Sequence, residues 1–86
     1  MQPVTLYIKE TCPYCIAAKQ LLDAKGVNYT AHSVFDLTEQ ERAEVAKKTN
    51  NYRTVPQIFI GEQFIGGFDD MRKLDSKGEL DRLLNA

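Results

Sequence analysis

The sequence predicts a single α/β domain with the element order β-α-β-α-β-β-α. Short runs of β-branched and apolar residues, typical of strands, alternate along the chain with longer segments whose apolar residues have helical spacing. The chain has 86 residues, of which 43% are hydrophobic, and this is enough to bury one core but too little for two. No internal repeat or linker divides the sequence, so residues 1–86 are predicted to form one domain.

The first half of the chain contains a strand, a helix and a second strand. Residues 4–8 alternate β-branched and apolar side chains and predict a buried strand. A helix follows from Pro13, because a proline in the first turn removes an N–H that would be unpaired there anyway. Gly26 is a favourable residue to end that helix. We expect the second strand over residues 29–34.

A capping signature marks the start of the second helix. Thr38 and Glu41 have the spacing at which each side chain reaches the backbone N–H of the other residue. We expect this helix to continue to about Lys48, because Asn50 and Asn51 favour a turn directly after it.

The last third of the chain predicts a hairpin and then a broken helix. Residues 57–60 and 63–65 read as two strands, and the Gly61-Glu62 connection between them is short enough for a hairpin. Two apolar stripes with helical spacing follow, and the polar stretch between them contains Gly78. Because glycine is a poor helix former, we expect a break there.

The charge composition argues against polyanionic partners. Lys and Arg together number 11 and Asp and Glu 12, which gives a net charge of −1. We therefore expect no nucleic acid and no membrane as partners. The first residues lack a secretory signal, and no apolar run approaches the ~18 residues that a membrane span needs. We expect a cytoplasmic protein, and a monomer, because no long apolar stripe calls for a partner.

Both cysteines of the chain, Cys12 and Cys15, follow the first strand directly. A structural disulfide between them is disfavoured, because a reducing compartment keeps thiols reduced and so short a loop would constrain the unfolded chain little. At the start of a helix, unpaired N–H groups and partial positive charge favour the thiolate of Cys12. Cys15 lies on the same side but farther inside, where it can resolve a mixed disulfide on Cys12. The pattern predicts a dithiol redox centre.

A metal site is the remaining reading of the cysteine pair. A structural zinc ion takes four ligands, and only the two cysteines and His32 are available as soft ligands. We expect no metal within one chain, and we read His32 as a solvated polar residue on an edge strand. Two chains could still pool thiols, with others from a small molecule, around a bridging iron–sulfur cluster.

Three segments of the sequence resemble the signature segments of dithiol glutaredoxins, which belong to the thioredoxin superfamily. They are Cys12-Pro13-Tyr14-Cys15, Thr54-Val55-Pro56 and Gly66-Gly67-Phe68-Asp69-Asp70. The resemblance covers almost the whole chain. It implies a thioredoxin fold, with a four-stranded mixed sheet flanked by helices, and a glutathione site built from these segments.

The resemblance implies that one end of the glutathione site is cationic. Lys9 and Arg53 match family positions that attract the glycyl carboxylate of glutathione, and Tyr14 matches the tyrosine that borders the groove. Val55 precedes a proline that resembles the cis-proline of the family, and its backbone would pair with the peptide as a strand does. The glutathione site is predicted to contain Lys9, Tyr14, Arg53, Thr54, Val55, Pro56, Gly67, Phe68, Asp69 and Asp70.

The other end of the site is implied to bind the γ-glutamyl group. Backbone N–H groups of Gly67, Phe68 and Asp69 would receive its carboxylate at the start of the last helix. Asp70 or Asp69 would pair with its ammonium, although one of the two could cap the helix instead, and Asp69 is the favoured cap. Phe68 departs from the small residue or cysteine that many family members have at this position.

The resemblance implies a glutathione-disulfide oxidoreductase that uses glutathione as its reducing co-substrate. Cys12 alone would reduce protein–glutathione mixed disulfides, and Cys12 with Cys15 would reduce protein disulfides. Glutathionylated or disulfide-containing proteins would be its partners, with glutathione reductase acting indirectly through glutathione. A glutathione-ligated iron–sulfur cluster carrier and a thioredoxin-like reductant served by a flavoprotein reductase are the two alternatives.

Overall fold

The predicted order of strands and helices is confirmed by a computed structural model that describes residues 1–86. The last predicted helix is broken in two, as expected near Gly78. The elements are β1 (Val4–Ile8), α1 (Pro13–Ala24), β2 (Tyr29–Ser33), α2 (Glu39–Lys48), β3 (Gln57–Ile60), β4 (Gln63–Gly66), α3 (Phe68–Ser76) and α4 (Glu79–Leu84).

The four strands form one mixed sheet in the spatial order β2-β1-β3-β4. β1 pairs in parallel with β2 and antiparallel with β3, and β3 pairs antiparallel with β4 across the hairpin. A register shift between Ile58 and Phe59 bends the last pair. The two central strands carry most of the buried strand residues, while β2 and β4 are the edges.

The core lies on one face of the sheet. Val4, Leu6 and Ile8 alternate along β1 and are all buried on this face, as the side-chain period of a strand requires. They share one apolar cluster with residues of α1, α3 and α4, including the fully buried Leu22 and Met71. These three helices are therefore held to the sheet by burial of apolar surface.

The opposite face of the sheet is covered more thinly. Tyr7 points to this side, with its ring 5.6 Å from that of His32 and 5.8 Å from that of Phe59. Helix α2 lies here, and none of its residues is buried. No helix of the protein is both long enough and apolar enough to cross a membrane.

Local side-chain hydrogen bonds mark the starts of α2 and of the 3₁₀ turn before it. The Thr38 hydroxyl accepts the Glu41 N–H and the Glu41 carboxylate accepts the Thr38 N–H, so both halves of the predicted capping box are present. The predicted strand 29–34 is one residue too long. Ser33 Oγ accepts the Phe35 N–H at 3.3 Å and starts a 3₁₀ turn at Val34–Asp36 instead.

Candidate active site

Cys12 lies between β1 and α1, at the position that caps the helix. Its N–H donates to the carbonyl of Lys9 at 3.4 Å, and its sulfur accepts the N–H of Cys15 at 3.4 Å. The thiol also donates to the carbonyl of Val55 at 3.7 Å. The Val55-Pro56 peptide bond is cis. The sulfur of Cys12 is thus placed between the start of α1 and the loop before β3.

The environment of Cys12 favours its thiolate. Partial burial by itself would raise the pKa of Cys12, but hydrogen bonds from the Cys15 side chain and from the N–H groups of Cys15 and Tyr14, with the charge of Lys9, outweigh it. The pKa of Cys12 therefore lies below 9.0, the ordinary value for the group. A lower pKa increases the thiolate fraction near neutral pH, and the thiolate is the reactive species.

Cys15 has the opposite character. Its side chain is 1% exposed and belongs to the apolar core cluster. Burial, and then the hydrogen bond with the Cys12 sulfur and the charge of the Cys12 thiolate, raise the pKa of Cys15 to about 11. Near neutral pH, Cys15 is therefore a protonated thiol beneath a more acidic one.

A groove of about 640 Å³ runs beside the two cysteines. The structure brings together all ten residues that the resemblance assigned to glutathione binding, and one further residue, Tyr52. The groove is lined by Lys9, Tyr14, Tyr52, Arg53, Thr54, Val55, Pro56, Gly67, Phe68, Asp69 and Asp70.

The two ends of the groove carry opposite charges. Lys9 and Arg53 are exposed and form no ion pair with any residue of the chain. Asp69 and Asp70 lie at the start of α3, which follows the edge strand β4, whereas Lys9 follows β1 on the other side of β3. The groove can therefore bind a ligand that carries an anionic group at one end and a cationic group at the other.

The start of α3 differs in two respects from the expectation. Asp70, and not Asp69, caps the helix, since its carboxylate accepts the N–H of Gly67 at 3.0 Å. The same bond occupies the Gly67 N–H, which was expected to receive a carboxylate of the ligand. The N–H groups of Phe68 and Asp69, in the first turn, have no partner within the helix and can receive an anion there.

The close approach of Asp70 explains why Gly66 is a glycine. Gly66 has a φ of +113°, a value that residues with a Cβ rarely adopt, and a Cβ there would collide with the Asp70 carboxylate. Any larger residue at position 66 would push the capping carboxylate away from the Gly67 N–H.

Phe68 and Tyr14 form an aromatic wall on the cysteine side of the groove. Their ring centroids are 6.4 Å apart, and the Tyr14 side chain is 59% exposed. The guanidinium carbon of Arg72 lies 5.9 Å from the Phe68 ring centroid, over the ring. The Phe68 ring is therefore near both the Tyr14 ring and the Arg72 guanidinium.

Tyr52 is the groove residue that the sequence reasoning missed. Its ring packs edge-on against Phe64 at 5.1 Å, and its carbonyl accepts Gln57 Nε2 at 2.9 Å. Its hydroxyl comes so close to Gly67 that a Cβ at that position would lie 2.8 Å away. Its place directly before Arg53 and Thr54 in the sequence was the one available signal.

No group of three or more His, Cys, Asp or Glu side chains is arranged to hold a metal ion. His32 lies exposed on the edge strand β2 and stacks on Tyr7. It therefore takes no part in the groove, as its interpretation as a solvated residue predicted.

Comparison with known proteins identifies the family. The model of the Glutaredoxin family matches residues 4–65. A glutaredoxin of Pseudomonas aeruginosa is 49% identical over 86 residues, which cover 100% of both chains. Glutaredoxin 1 of Rickettsia prowazekii is 44% identical over 84 residues, covering 98% of this chain and 88% of that protein. The chain belongs to the glutaredoxin family. This is a family of oxidoreductases that act on thiols with glutathione.

Solved glutaredoxin structures agree with the fold. The holo form of poplar glutaredoxin C1 has a TM-score of 0.84 at 35% identity and covers 98% of this chain and 77% of its own. A buckwheat glutaredoxin–glutathione complex has a TM-score of 0.85 at 30% identity, with the same two coverages, 98% and 77%. The chain therefore has the thioredoxin-like fold of the glutaredoxins, as its resemblance to the family predicted.

Proposed function

We propose that the protein reduces protein–glutathione mixed disulfides through Cys12 and protein disulfides through Cys12 and Cys15, with glutathione as the reducing co-substrate. One observation supports this most strongly. A groove with cations at one end and carboxylates at the other opens beside a cysteine whose pKa is lowered. Glutathione has the matching form, since it carries two carboxylates, one ammonium and a central thiol.

The charges of the groove favour one orientation of glutathione. Its glycyl carboxylate lies toward Lys9 and Arg53, and its γ-glutamyl carboxylate lies at the free N–H groups at the start of α3. Asp69 is the better partner for the ammonium, because the Asp70 carboxylate is already bonded to the Gly67 N–H. The related buckwheat glutaredoxin forms a complex with glutathione, which supports the choice of ligand.

The monothiol route needs only Cys12. Its thiolate attacks the glutathione sulfur of a mixed disulfide, so that the Cys12–glutathione bond forms and the protein thiolate leaves. A second glutathione thiolate then attacks the glutathione sulfur on Cys12. This releases glutathione disulfide and restores the Cys12 thiolate. One half of that disulfide is the incoming glutathione and the other half is the glutathionyl group taken from the substrate, so each turnover consumes one glutathione.

The dithiol route adds Cys15. Cys12 first forms a mixed disulfide with one sulfur of a substrate disulfide and releases the other as a thiolate. In that state Cys12 carries no charge, so one cause of the high pKa of Cys15 is removed. Cys15 then loses its proton and attacks the Cys12 sulfur, which frees the substrate. Two glutathione molecules reduce the resulting Cys12–Cys15 disulfide.

A coupled assay tests the proposal. Glutathione, glutathione reductase and its nicotinamide reductant are supplied with either a small glutathione mixed disulfide or a protein disulfide, and oxidation of the nicotinamide is followed. We expect Cys12→Ser to lose both activities, and Cys15→Ser to keep the first and lose the second. Cys12→Ser and Cys15→Ser are matched substitutions, because serine keeps a small hydrogen-bonding side chain at either position.

Two results would contradict the proposal. If Cys15→Ser were inactive on the small mixed disulfide, Cys12 alone would not suffice for the monothiol route. If the wild-type protein turned over only with a flavoprotein reductase in place of glutathione, it would act as a thioredoxin-like reductant.

A further inference from the structure

A second cleft, of about 340 Å³, lies on the thinly covered face of the sheet, between α2 and the 3₁₀ turn. Its apolar lining comes from both sides of the gap. The turn and the residue after it contribute Val34, Phe35 and Leu37, and α2 contributes Val45 and Ala46. We call this the α2 cleft.

The α2 cleft is open because α2 is too polar to close it. None of the helix residues is buried, and Val45 and Ala46 are only half-buried. The Ser33 Oγ accepts the Phe35 N–H and so fixes the backbone of the turn. In this turn 69% of the surface of Phe35 is exposed. A large aromatic ring exposed beside unfilled apolar surface is typical of a site that binds a partner.

The charges that line the cleft have one sign. Lys9 and Arg42 are its cations, and no carboxylate lines it. Neither cation forms an ion pair with another residue of the chain, and both are exposed. The cleft therefore favours a partner that has an apolar group with an acidic group next to it.

The α2 cleft adjoins the groove beside Cys12. Lys9 and Tyr52 line both the cleft and the groove. The carbonyl of Lys9 also accepts the N–H of Cys12 at 3.4 Å, which ties this wall to the reacting cysteine. A polypeptide whose disulfide is attacked by Cys12 therefore has the cleft within reach of the residues next to its cysteine.

We propose that the α2 cleft is a docking site for the protein substrate. It binds an apolar side chain close to the reacting cysteine of the substrate, while an adjacent acidic side chain pairs with Arg42, which lines the cleft and not the groove. This inference rests on the proposed function and adds to it a preference among substrate sequences. Glutathione itself occupies the groove, so the cleft discriminates only between the protein parts of glutathionylated substrates.

Four glutathionylated peptides test this preference. On both sides of its cysteine, each peptide carries either Leu or Ser together with either Glu or Lys, which gives four combinations. The value of kcat/KM for each peptide is measured in the coupled assay. For the wild-type protein we expect Leu to be favoured over Ser by about fivefold through apolar burial. We expect Glu to be favoured over Lys by about threefold to fivefold through exposed charge pairs.

Two variants connect the preferences to the cleft. Arg42→Glu should remove or invert the preference for Glu, and Val45→Asp should reduce the preference for Leu. Both should leave kcat/KM for a small glutathione mixed disulfide within about twofold, since that substrate has no flanking residues. Lys77→Glu, the same charge reversal at a site that lines neither the groove nor the cleft, is the matched control and should retain both preferences.

The inference fails if the wild-type protein treats the four peptides alike. It also fails if Arg42→Glu and Val45→Asp leave both preferences unchanged while the small substrate shows that the variants are folded. Loss of turnover of the small mixed disulfide by the wild-type protein would instead overturn the proposed function itself.

Discussion

Residues of the same type but with different roles stand close together in two short segments, the cysteine pair and the start of α3. Cys12 is half-buried with a lowered pKa, whereas Cys15 is 1% exposed with its pKa raised to about 11. In the last segment Asp69 lies exposed beside the groove, and the carboxylate of the adjacent Asp70 holds the Gly67 N–H. Chemically similar residues thus have different roles because of their positions in the first turn of a helix.

The first turn of a helix separates these roles for a physical reason. Its leading N–H groups point away from the helix and have no intrahelical partner, so they act on a side chain that caps them or on a ligand. At α1 the capping atom is the reacting sulfur of Cys12 itself. At α3 the capping atom belongs to Asp70, and the ligand is left to the neighbouring N–H groups.

The largest expected difference is in the reactivity of the two cysteines. Since the pKa of Cys12 lies below 9.0 and that of Cys15 is about 11, the thiolate fraction of Cys12 near pH 7 is greater by about a hundredfold or more. The lower intrinsic nucleophilicity of the more acidic thiolate offsets about tenfold of this. Iodoacetamide with peptide mapping should therefore modify Cys12 at least about tenfold faster.

The pH dependence of the same reaction gives the sign of each shift. Alkylation of Cys12 should decline as the pH falls through its pKa, and the midpoint should lie below that of a cysteine in an unstructured peptide measured in parallel. Equal alkylation rates for the two cysteines, or a Cys12 midpoint above that of the peptide, would contradict the assignment of a lowered pKa to Cys12 and a raised pKa to Cys15.

Removing a positive charge at the rim of the groove should have a smaller effect than the difference between the two cysteines. Arg53→Gln should raise KM for a small glutathione mixed disulfide by about twofold to fivefold, because exposed charge pairs contribute up to about 1 kcal/mol. Lys9→Gln should raise KM similarly and also raise the pKa of Cys12, to which Lys9 contributes. Added salt should raise KM for the wild-type protein more than KM for a variant that carries both Lys9→Gln and Arg53→Gln.

Lys77→Gln is the matched control for these charge variants, because Lys77 is exposed and lies outside the groove. Its KM should equal that of the wild-type protein. An equal rise in KM for Lys77→Gln would mean that net charge, and not the cationic end of the groove, attracts the substrate.

The two carboxylates in the first turn of α3 give the smallest effect. Asp70→Ala should lower the free energy of unfolding by about 1 kcal/mol, because the Gly67 N–H loses its cap, whereas Asp69→Ala should change it by less than about 0.5 kcal/mol. For a chain of this size, 1 kcal/mol corresponds to a Tm decrease of about 4–8 °C. Asp69→Ala should instead raise KM for the glutathione mixed disulfide. The reverse pattern would assign the cap to Asp69.

Much of the fold followed from local sequence signals. The spacing of Thr38 and Glu41 predicted a capping box, and the polar stretch around Gly78 predicted a break between helices; both are present. Local signals succeed here because the interactions that they describe join residues only a few positions apart. The ten predicted groove residues came from a resemblance, which supplied the long-range arrangement that propensity and spacing do not contain.

The features that were missed depend on tertiary contacts. Tyr52 joins the groove because its ring packs on Phe64 of β4 and its hydroxyl approaches Gly67, both distant in sequence. The α2 cleft arises from the gap between a helix and a turn, which no single segment encodes. The choice of Asp70 over Asp69 as the cap depends on side-chain geometry, because both residues are aspartates and residue type cannot distinguish them.

The most direct test of the account is the rate at which the Cys15→Ser variant acquires glutathione. The variant is mixed with glutathione disulfide or with bis-hydroxyethyl disulfide, and intact mass with peptide mapping follows the adduct over time. If the groove recognises glutathione beside the Cys12 thiolate, Cys12 should acquire a single glutathione at least about tenfold faster than it acquires hydroxyethanethiol. Equal rates with the two disulfides would contradict the account.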